Sequence, residues 1–179
     1  MIKKVISIDI DSKSIDRAIK EIEQYKKDLL EKLDIYRERI AEEIKTEAQF
    51  GFNSSTVDED IVSGSSRKAD VSVSVTPSGN ISVIVANGED AVWCEFGSGV
   101  FYNGAVGSSP NPYGASVGFT IGSYGQGKGS QKAWGYYEDD TGGEKKVVIT
   151  RGTPATMPMY NAAISVATRA ISIAKEVFG

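Results

Sequence analysis

The chain has 179 residues, a length that suits one domain with a substantial core better than two independent domains. Its 24 acidic and 20 basic residues give a formal net charge of -4, which disfavours a general DNA-binding protein. It contains no histidine and one cysteine, which argues against a triad hydrolase, a zinc site and an intramolecular disulfide framework.

The N-terminal residues predict neither a secretory signal peptide nor a membrane anchor. MIKKVISIDID has no apolar h-region, and no run in the chain approaches the length that spans a bilayer. We therefore expect a protein that is made and used in a cytoplasm, without a membrane partner. Within this stretch, residues 5–10 (VISIDI) alternate apolar and polar side chains and predict a short, half-buried strand at the edge of a sheet.

The next segment predicts one long amphipathic helix. Asp11, Ser12 and Ser14 are candidate N-caps, and Gly51 suits the C′ position that ends the helix. Over residues 14–50 it would be roughly 55 Å long, so part of it should project or cross a neighbouring subunit. Its apolar stripe consists of Ile15, Ala18, Ile22, Tyr25, Leu29, Leu33, Tyr36, Ile40, Ile44 and Ala48.

The charges on this helix are nearly balanced, with 12 acidic and 11 basic side chains in the first 47 residues. A solvated face opposite a packed stripe is the simpler interpretation, and a coiled-coil-like contact with a partner helix is the alternative. Because the stripe lacks a strict heptad of Leu and Ile, we expect it to pack on a sheet.

A polar loop over residues 53–66 is followed by a predicted β-hairpin with one buried face. Two alternating runs flank a Pro-Ser-Gly-Asn turn at residues 77–80. The apolar positions of the two runs are Val71, Val73, Val75, Ile81, Val83 and Val85.

A long segment rich in glycine then interrupts the regular elements, at about residues 97–131. Residues 96–127 carry no charge, and residues 97–129 hold ten of the nineteen glycines. Loops of this length are usually functional or disordered. Aromatic side chains on a flexible backbone favour a loop that docks on a partner protein, and an insertion without a partner is the alternative. The aromatic residues are Phe101, Tyr102, Tyr113, Phe119 and Tyr124.

The rest of the chain predicts further strands and a final helix. Strands over residues 117–121, 133–137 and 146–150 would complete an antiparallel sheet of four or five strands. Pro158 suits the first turn of the last helix, whose alanine-rich face should pack on that sheet. The apolar stripe of this helix is Met159, Ala163, Val166, Ala170, Ile173 and Val177.

These elements predict a single α+β domain over residues 1–179. A long N-terminal amphipathic helix and a C-terminal helix pack on a small, mostly antiparallel sheet, and a long loop rich in glycine and aromatic residues is inserted.

No segment predicts catalysis, a cofactor or a metal site. The glycine-rich run at residues 122–129 is one residue short of a phosphate loop, because Gly129 stands where Ser or Thr is needed. Cys94 has no histidine to activate it and is interpreted as an inert buried thiol. We expect an architectural role for Glu95, as an acceptor for backbone N–H groups of the adjoining bend or as a partner of Arg151; an ordinary exposed Glu is the alternative.

Two short motifs resemble a known family. Residues 91–99 read AVWCEFGSG and residues 149–163 read ITRGTPATMPMYNAA. Together they resemble the aromatic-x-Glu-Phe-Gly-[Ser/Thr]-Gly turn and the Thr-x-Gly-x-Pro-Ala segment of minor head-tail connector and tail-completion proteins in the necks of long-tailed bacteriophages. The matching residues are Trp93, Glu95, Phe96, Gly97, Ser98 and Gly99, then Thr150, Gly152, Pro154, Ala155, Pro158 and Met159.

The resemblance implies a structural virion protein, assembled in the host bacterial cytoplasm, that joins the head-side connector or adaptor to the tail tube or terminator. It also implies a homo-oligomeric ring, a hexamer, through which DNA passes without specific binding. The insertion between residues 100 and 134 is longer than a minimal member of the family needs. The resemblance therefore does not distinguish a head-tail connector from a tail terminator. The expected interface residues are Trp93, Glu95, Phe96, Gly97, Ser98, Gly99, Phe101, Tyr102, Tyr113, Tyr124, Arg151 and Pro154.

Two other classes of function remain as alternatives. A small carbohydrate- or surface-binding module of a phage particle would use exposed Tyr and Trp side chains and predicts glycan affinity in a monomer. An enzyme with paired carboxylates predicts turnover, but few acids lie near the motifs.

Overall fold

The fold is α+β, with a long N-terminal helix, a C-terminal helix and small antiparallel sheets. It is given by a computed structural model that describes residues 6, 11–98, 109–118, 133–139 and 145–179. The elements in chain order are α1 (Ser12–Ser54), β1 (Thr56–Val57), β2 (Arg67–Lys68), β3 (Ser72–Ser78), β4 (Ile81–Asn87), α2 (Asp90–Phe96), a 3₁₀ helix (Ala115–Val117), β5 (Trp134–Asp139), β6 (Lys145–Thr150) and α3 (Pro158–Phe178).

Helix α1 is longer than its pattern predicts. Its 43 residues correspond to about 65 Å. Asp11 is the N-cap, as predicted, and accepts the backbone N–H of Ser14 at 2.9 Å. The predicted end at Gly51 is wrong, because the helix continues through this residue to Ser54. A Cβ on Gly51 would lie 2.9 Å from the Cβ of Pro158, so the glycine permits close contact between two helices.

Helix α3 runs antiparallel to the C-terminal part of α1. Its start lies beside Gly51, Arg169 forms ion pairs with Glu43 and Glu47, and the ring of Phe178 lies 6.0 Å from that of Tyr36. The part of α1 before Tyr36 extends beyond α3 and exposes Ile15, Ile19, Ile22, Tyr25, Leu29, Leu30 and Leu33.

The strands do not form one sheet. Within the part of the chain that the structure describes, they make three antiparallel pairs, β1–β2, β3–β4 and β5–β6, so the predicted sheet of four or five strands is wrong. Strand predictions at residues 133–137 and 146–150 correspond to β5 and β6. The predicted strand at residues 117–121 is wrong at Val117, which ends the 3₁₀ helix, and residues 119–121 lie outside the described residues.

The predicted polar loop at residues 53–66 is only partly a loop. It contains the end of α1 and strand β1, and it buries Val57 and Asp60. An isolated bridge joins Asp60 to Thr150, which attaches this segment to β6.

The predicted hairpin is present as β3–β4, but its buried face differs from the prediction. The pairing of Ser78 with Ile81 around the tight turn places Val73 opposite Ala86 and Val75 opposite Ile84. Even-numbered residues of β4 therefore share the inner face with odd-numbered residues of β3. The outer face consequently carries Ile81, Val83 and Val85, which are 60, 41 and 39% exposed.

The main core lies where the end of α1 meets β1, β3, α2 and the start of α3. Phe52 and Cys94 are fully buried at its centre. The buried members of the core are Ala48, Phe52, Val57, Val71, Val73, Ala91, Cys94 and Ala162. None of the helices in the described ranges is long and apolar enough to cross a membrane.

Candidate functional site

The two sequence motifs meet at the junction between α2 and α3. The N–H of Ser98 donates to the carbonyl of Thr153 at 2.8 Å, and the N–H of Thr153 donates to the Ser98 hydroxyl at 2.9 Å. The N–H groups of Thr156 and Met157 both donate to the carbonyl of Cys94, at 2.9 and 3.0 Å. Segments far apart in sequence are thus joined directly by hydrogen bonds of backbone N–H groups to carbonyl and hydroxyl oxygens.

Glu95 occupies the centre of this junction and caps α3. Its carboxylate accepts the backbone N–H of Met159 at 2.8 Å and that of Tyr160 at 3.0 Å. The first N–H groups of a helix have no intrahelical acceptor. Pro158 has no N–H and the Met157 side chain makes no capping bond, so Glu95 supplies from α2 the acceptor that α3 lacks.

The predicted partners of Glu95 are wrong. Within the described residues, its carboxylate bonds the first turn of α3, 64 and 65 residues along the chain, and neither Gly97, Ser98 nor the exposed Arg151. The carboxylate also accepts the Asn111 side-chain N–H at 2.8 Å. Glu95 is itself buried, unlike the exposed Glu of the alternative interpretation.

Burial raises the pKa of the Glu95 carboxyl above its ordinary value of 4.5. The bonds from Met159, Tyr160 and Asn111 act in the opposite direction, because each favours the charged form. The net rise means that burial outweighs these bonds, so the fold disfavours the charged form of Glu95 relative to the unfolded chain.

Asn111 connects the inserted segment to this junction, and sequence reasoning missed it. Its side-chain oxygen accepts the N–H of Tyr113 at 2.9 Å, while its amide nitrogen donates to Glu95. Asn111 is buried. An Asn before Pro indicates a turn, but no local signal identifies Glu95 as its partner.

Backbone conformations with positive φ shape both motif segments. Gly97 follows α2 at φ 82°, and Gly152 lies at φ 96°. Met157 adopts φ 54° and ψ 52°, a left-handed conformation that is costly for a non-glycine residue. The bonds of Thr156 and Met157 to the Cys94 carbonyl hold the chain in this conformation just before α3.

A second anchor lies at the start of α2, where Asp90 pairs with Arg67. Two guanidinium nitrogens of Arg67 donate to the carboxylate at 2.6 and 2.8 Å, and the backbone N–H of Asp70 donates at 2.9 Å. Burial acts to raise the pKa of Asp90, but the bonds from Arg67 and Asp70 outweigh it and hold the pKa below 3.8. This pair ties α2 to the segment before β3.

Cys94 is fully buried, in agreement with the prediction of a buried thiol. Burial raises the pKa of this thiol to about 11, so it is protonated at neutral pH. Its carbonyl, and not its sulfur, makes the contacts that order the motif before α3.

The other predicted interface residues lie in different environments. Gly97 and Ser98 are buried with Glu95, and Trp93 and Phe96 are half-buried on α2. Tyr113, Arg151 and Pro154 are exposed, and the Tyr113 ring packs edge-on against Tyr160 with centroids 6.2 Å apart. Contact of this set with a partner stays a prediction. Four of the predicted interface residues lie outside the described ranges: Gly99, Phe101, Tyr102 and Tyr124.

The junction supplies hydrogen-bond acceptors to a helix and has no arrangement of a nucleophile with a base among its described residues. Within the same residues, no three His, Cys, Asp or Glu side chains group to hold a metal ion. No protein-family model, curated protein or solved structure matches the chain.

Proposed function

We propose that the chain is a structural virion protein of a bacteriophage neck, a head-tail connector or tail-completion component that joins the head-side connector to the tail. The observation that carries this proposal is the direct bonding of the two family-like motifs through Ser98, Thr153, Cys94 and Glu95. The residues that resemble the family thus serve one architectural junction.

The junction sets the direction in which α3 leaves α2. Glu95 fixes the first turn of α3, and Gly51 allows α1 to approach that turn closely. A rigid body of this kind suits a ring subunit, whose neighbours must meet at a constant angle. The proposed partners are further copies of the chain in a sixfold ring, the connector or adaptor on the head side, and the tail tube or terminator.

Two features of the surface support a role in assembly. The exposed apolar residues of α1 before Tyr36 and the exposed Tyr113 provide area for protein contacts. The net charge of -4 favours passage of DNA through a ring without adhesion.

The test is a stop codon early in the gene, in the phage or prophage that encodes the chain, followed by negative-stain microscopy of lysates. We expect filled heads beside separate tails if the protein joins the two. Tails of abnormal length would instead indicate completion of the tail. A plasmid copy of the gene should restore complete particles.

Intact, normal-looking and infectious virions from the stop-codon strain would contradict the neck role. That result would favour the surface- or carbohydrate-binding module, which is then tested by binding of the purified monomer to host glycans.

A further inference from the structure

An apolar groove lies between α1, α3 and the inner face of β4. Its volume is about 460 Å³. The predicted alanine-rich face of α3 borders this groove. The apolar lining includes Ile40, Ile44, Ile84, Ala163, Ala167 and Ala170.

The groove is present because the helix layer is wider than the hairpin above it. Helices α1 and α3 lie side by side, and β3–β4 packs on α1. Two helices, each about 10 Å wide, can carry about four strands at a spacing of about 4.8 Å. The hairpin supplies two, so the space over α3 next to β4 is the position of a further strand.

The two edges of the hairpin differ. The side chain of Gln49 covers the outer edge of β3, accepting the N–H of Val73 at 2.8 Å and donating to the carbonyl of Val71 at 2.9 Å. The outer edge of β4 pairs with no strand among the residues that the structure describes. An open edge of this kind is a template for strand addition, and only the β4 edge lies beside the groove.

Two polar atoms at the groove support the same position. In the described part of the chain, the Ser82 hydroxyl and the Nε of Arg37 are buried without a hydrogen-bond partner, and both residues line the groove. A buried polar atom without a hydrogen bond lowers the stability of the folded state, and an added strand would bring polar groups close to these two atoms.

We propose that the β4 edge and the groove receive residues 5–10 of a second copy of this chain as an added strand. In VISIDI, Ile6, Ile8 and Ile10 alternate with Val5, Ser7 and Asp9. As a strand, this segment presents three isoleucines to the apolar floor, while its backbone pairs with β4.

The donor is a second copy because the segment cannot reach its own groove. Ile10 lies within two residues of Ser12, the first residue of α1, or at most about 7 Å. The nearest groove residue on α1 is Tyr36, about 36 Å along the helix from Ser12. Because α1 projects beyond α3, a strand attached to its first residue is placed to reach a second copy.

Each copy would then donate one strand and receive another through a different surface. Such a heterologous contact closes into a ring when the rotation between copies permits. Strand exchange would be the contact between neighbouring copies in the proposed ring. It rests on the proposed function only for the number of copies.

The test uses one variant of the strand and one of the groove, each with a control. Ile8→Glu places a charge on the apolar face of the strand, and Ser7→Glu places the same charge on its other face. Ala167→Glu places a charge on the groove at an exposed position. Its control, Thr168→Glu, places the same charge at an exposed position one residue further along α3, which does not line the groove. Size-exclusion chromatography with light scattering measures mass against the 19.2 kDa chain, and circular dichroism verifies folding.

We expect the wild type and both controls to assemble, and Ile8→Glu and Ala167→Glu each to remain folded monomers. An equimolar mixture of the two monomers should form dimers of one copy each and nothing larger. In that mixture, one variant offers an intact groove and the other an intact strand.

Assembly of either variant at the wild-type mass would overturn the exchange. So would a wild type that stays monomeric, as expected if residues 5–10 instead cover their own α1 near Ser14 and Ala18, which are buried. Neither result decides the neck role, which the particle morphology of the stop-codon strain tests separately.

Discussion

At the residue scale, the most consequential side chain is Glu95, a buried carboxylate that belongs to one helix and caps another. It bonds two backbone N–H groups of α3 and the side chain of Asn111. Because these three partners come from two distant segments, one carboxylate fixes the position of the inserted segment and the start of the last helix together.

Replacement of Glu95 by Ala should lower the free energy of unfolding by about 2–4 kcal/mol, because two partly buried N–H groups lose their acceptor. Glu95→Gln keeps one acceptor oxygen and should cost about 1–2 kcal/mol. Urea denaturation at neutral pH measures both. Equal stability of the wild type and Glu95→Ala would show that the cap contributes nothing.

The raised pKa of Glu95 predicts a pH dependence. The native state binds this proton more tightly than the unfolded chain, so the contribution of Glu95 to stability falls as pH rises from its ordinary value of 4.5 to the raised one. The stability difference between wild type and Glu95→Gln should therefore shrink across this window. Denaturation curves at a series of pH values measure it, and a difference that grows would contradict the prediction.

Asp90 should behave in the opposite way. Its pKa is held below 3.8, so its stabilising contribution is complete above this value and is lost as pH falls through the lowered pKa. Asp90→Asn should cost about 1–2 kcal/mol near neutral pH, a modest loss since Arg67 is half exposed. The same denaturation series should show this cost vanishing in acid. A cost that persists unchanged at the lowest pH would exclude the ion pair as its source.

At the scale of elements, α1 consists of two parts with different surroundings. From Tyr36 onward it packs against α3 and the hairpin, whereas the preceding part exposes most of its large apolar side chains and buries only Ser14 and Ala18. Helices of this length gain most of their stability from tertiary packing and not from intrinsic propensity.

Amide hydrogen exchange should therefore proceed at different rates in the two parts of α1. In a monomer such as Ala167→Glu, amides of residues 20–34 should exchange much faster than those of residues 38–52, because local opening there breaks few buried contacts. Mass spectrometry of peptic peptides measures the two parts. Uniform protection along α1 in the monomer would contradict the division.

The contact of α1 with α3 depends on Gly51. Alanine has the higher helix propensity, by about 1 kcal/mol, but its Cβ would meet Pro158 at 2.9 Å. We expect Gly51→Ala to destabilise the protein by about 1–3 kcal/mol through overpacking. The control is Asn53→Ala, an exposed position in the same helix, which thermal unfolding should show to be nearly neutral. If Gly51→Ala were more stable than the wild type, the two helices would have moved apart without a cost in free energy, which would contradict this prediction.

At the scale of the whole molecule, small sheets and a wide helix pair leave surfaces that one copy does not cover. The outer face of β4, the groove beside α3 and the projecting part of α1 are all apolar. Large exposed apolar areas on a protein surface indicate sites of contact with other molecules. Their separation on the molecule suits head-to-tail assembly, in which each copy uses two different surfaces.

Assembly of this kind couples stability to concentration. The wild type should show a Tm that rises with protein concentration, because association removes folded monomer from the unfolding equilibrium. Ala167→Glu should show a constant Tm over the same range. Scanning calorimetry at several concentrations measures both, and a Tm that rises equally in the two proteins would contradict the proposed contact.

The sequence by itself determined the local elements. Helical periodicity with Asp11 as a cap, alternation around a Pro-Ser-Gly-Asn turn, and Pro158 at a helix start depend on neighbours within a few residues, and all three are present in the structure. The positive φ of Gly97 could be predicted for the same reason.

Only the tertiary structure decided the partners of those elements. Glu95 lies 64 residues before Met159, and no local pattern pairs a carboxylate on α2 with the N–H groups of α3. Glycine is the residue type expected at the end of a helix, but Gly51 lies within α1 and permits the close contact with Pro158. The register of β3 with β4 places Ile81, Val83 and Val85 on the outer face of the hairpin. Such choices depend on which surfaces approach one another in space, and periodicity along one segment contains no information about the other.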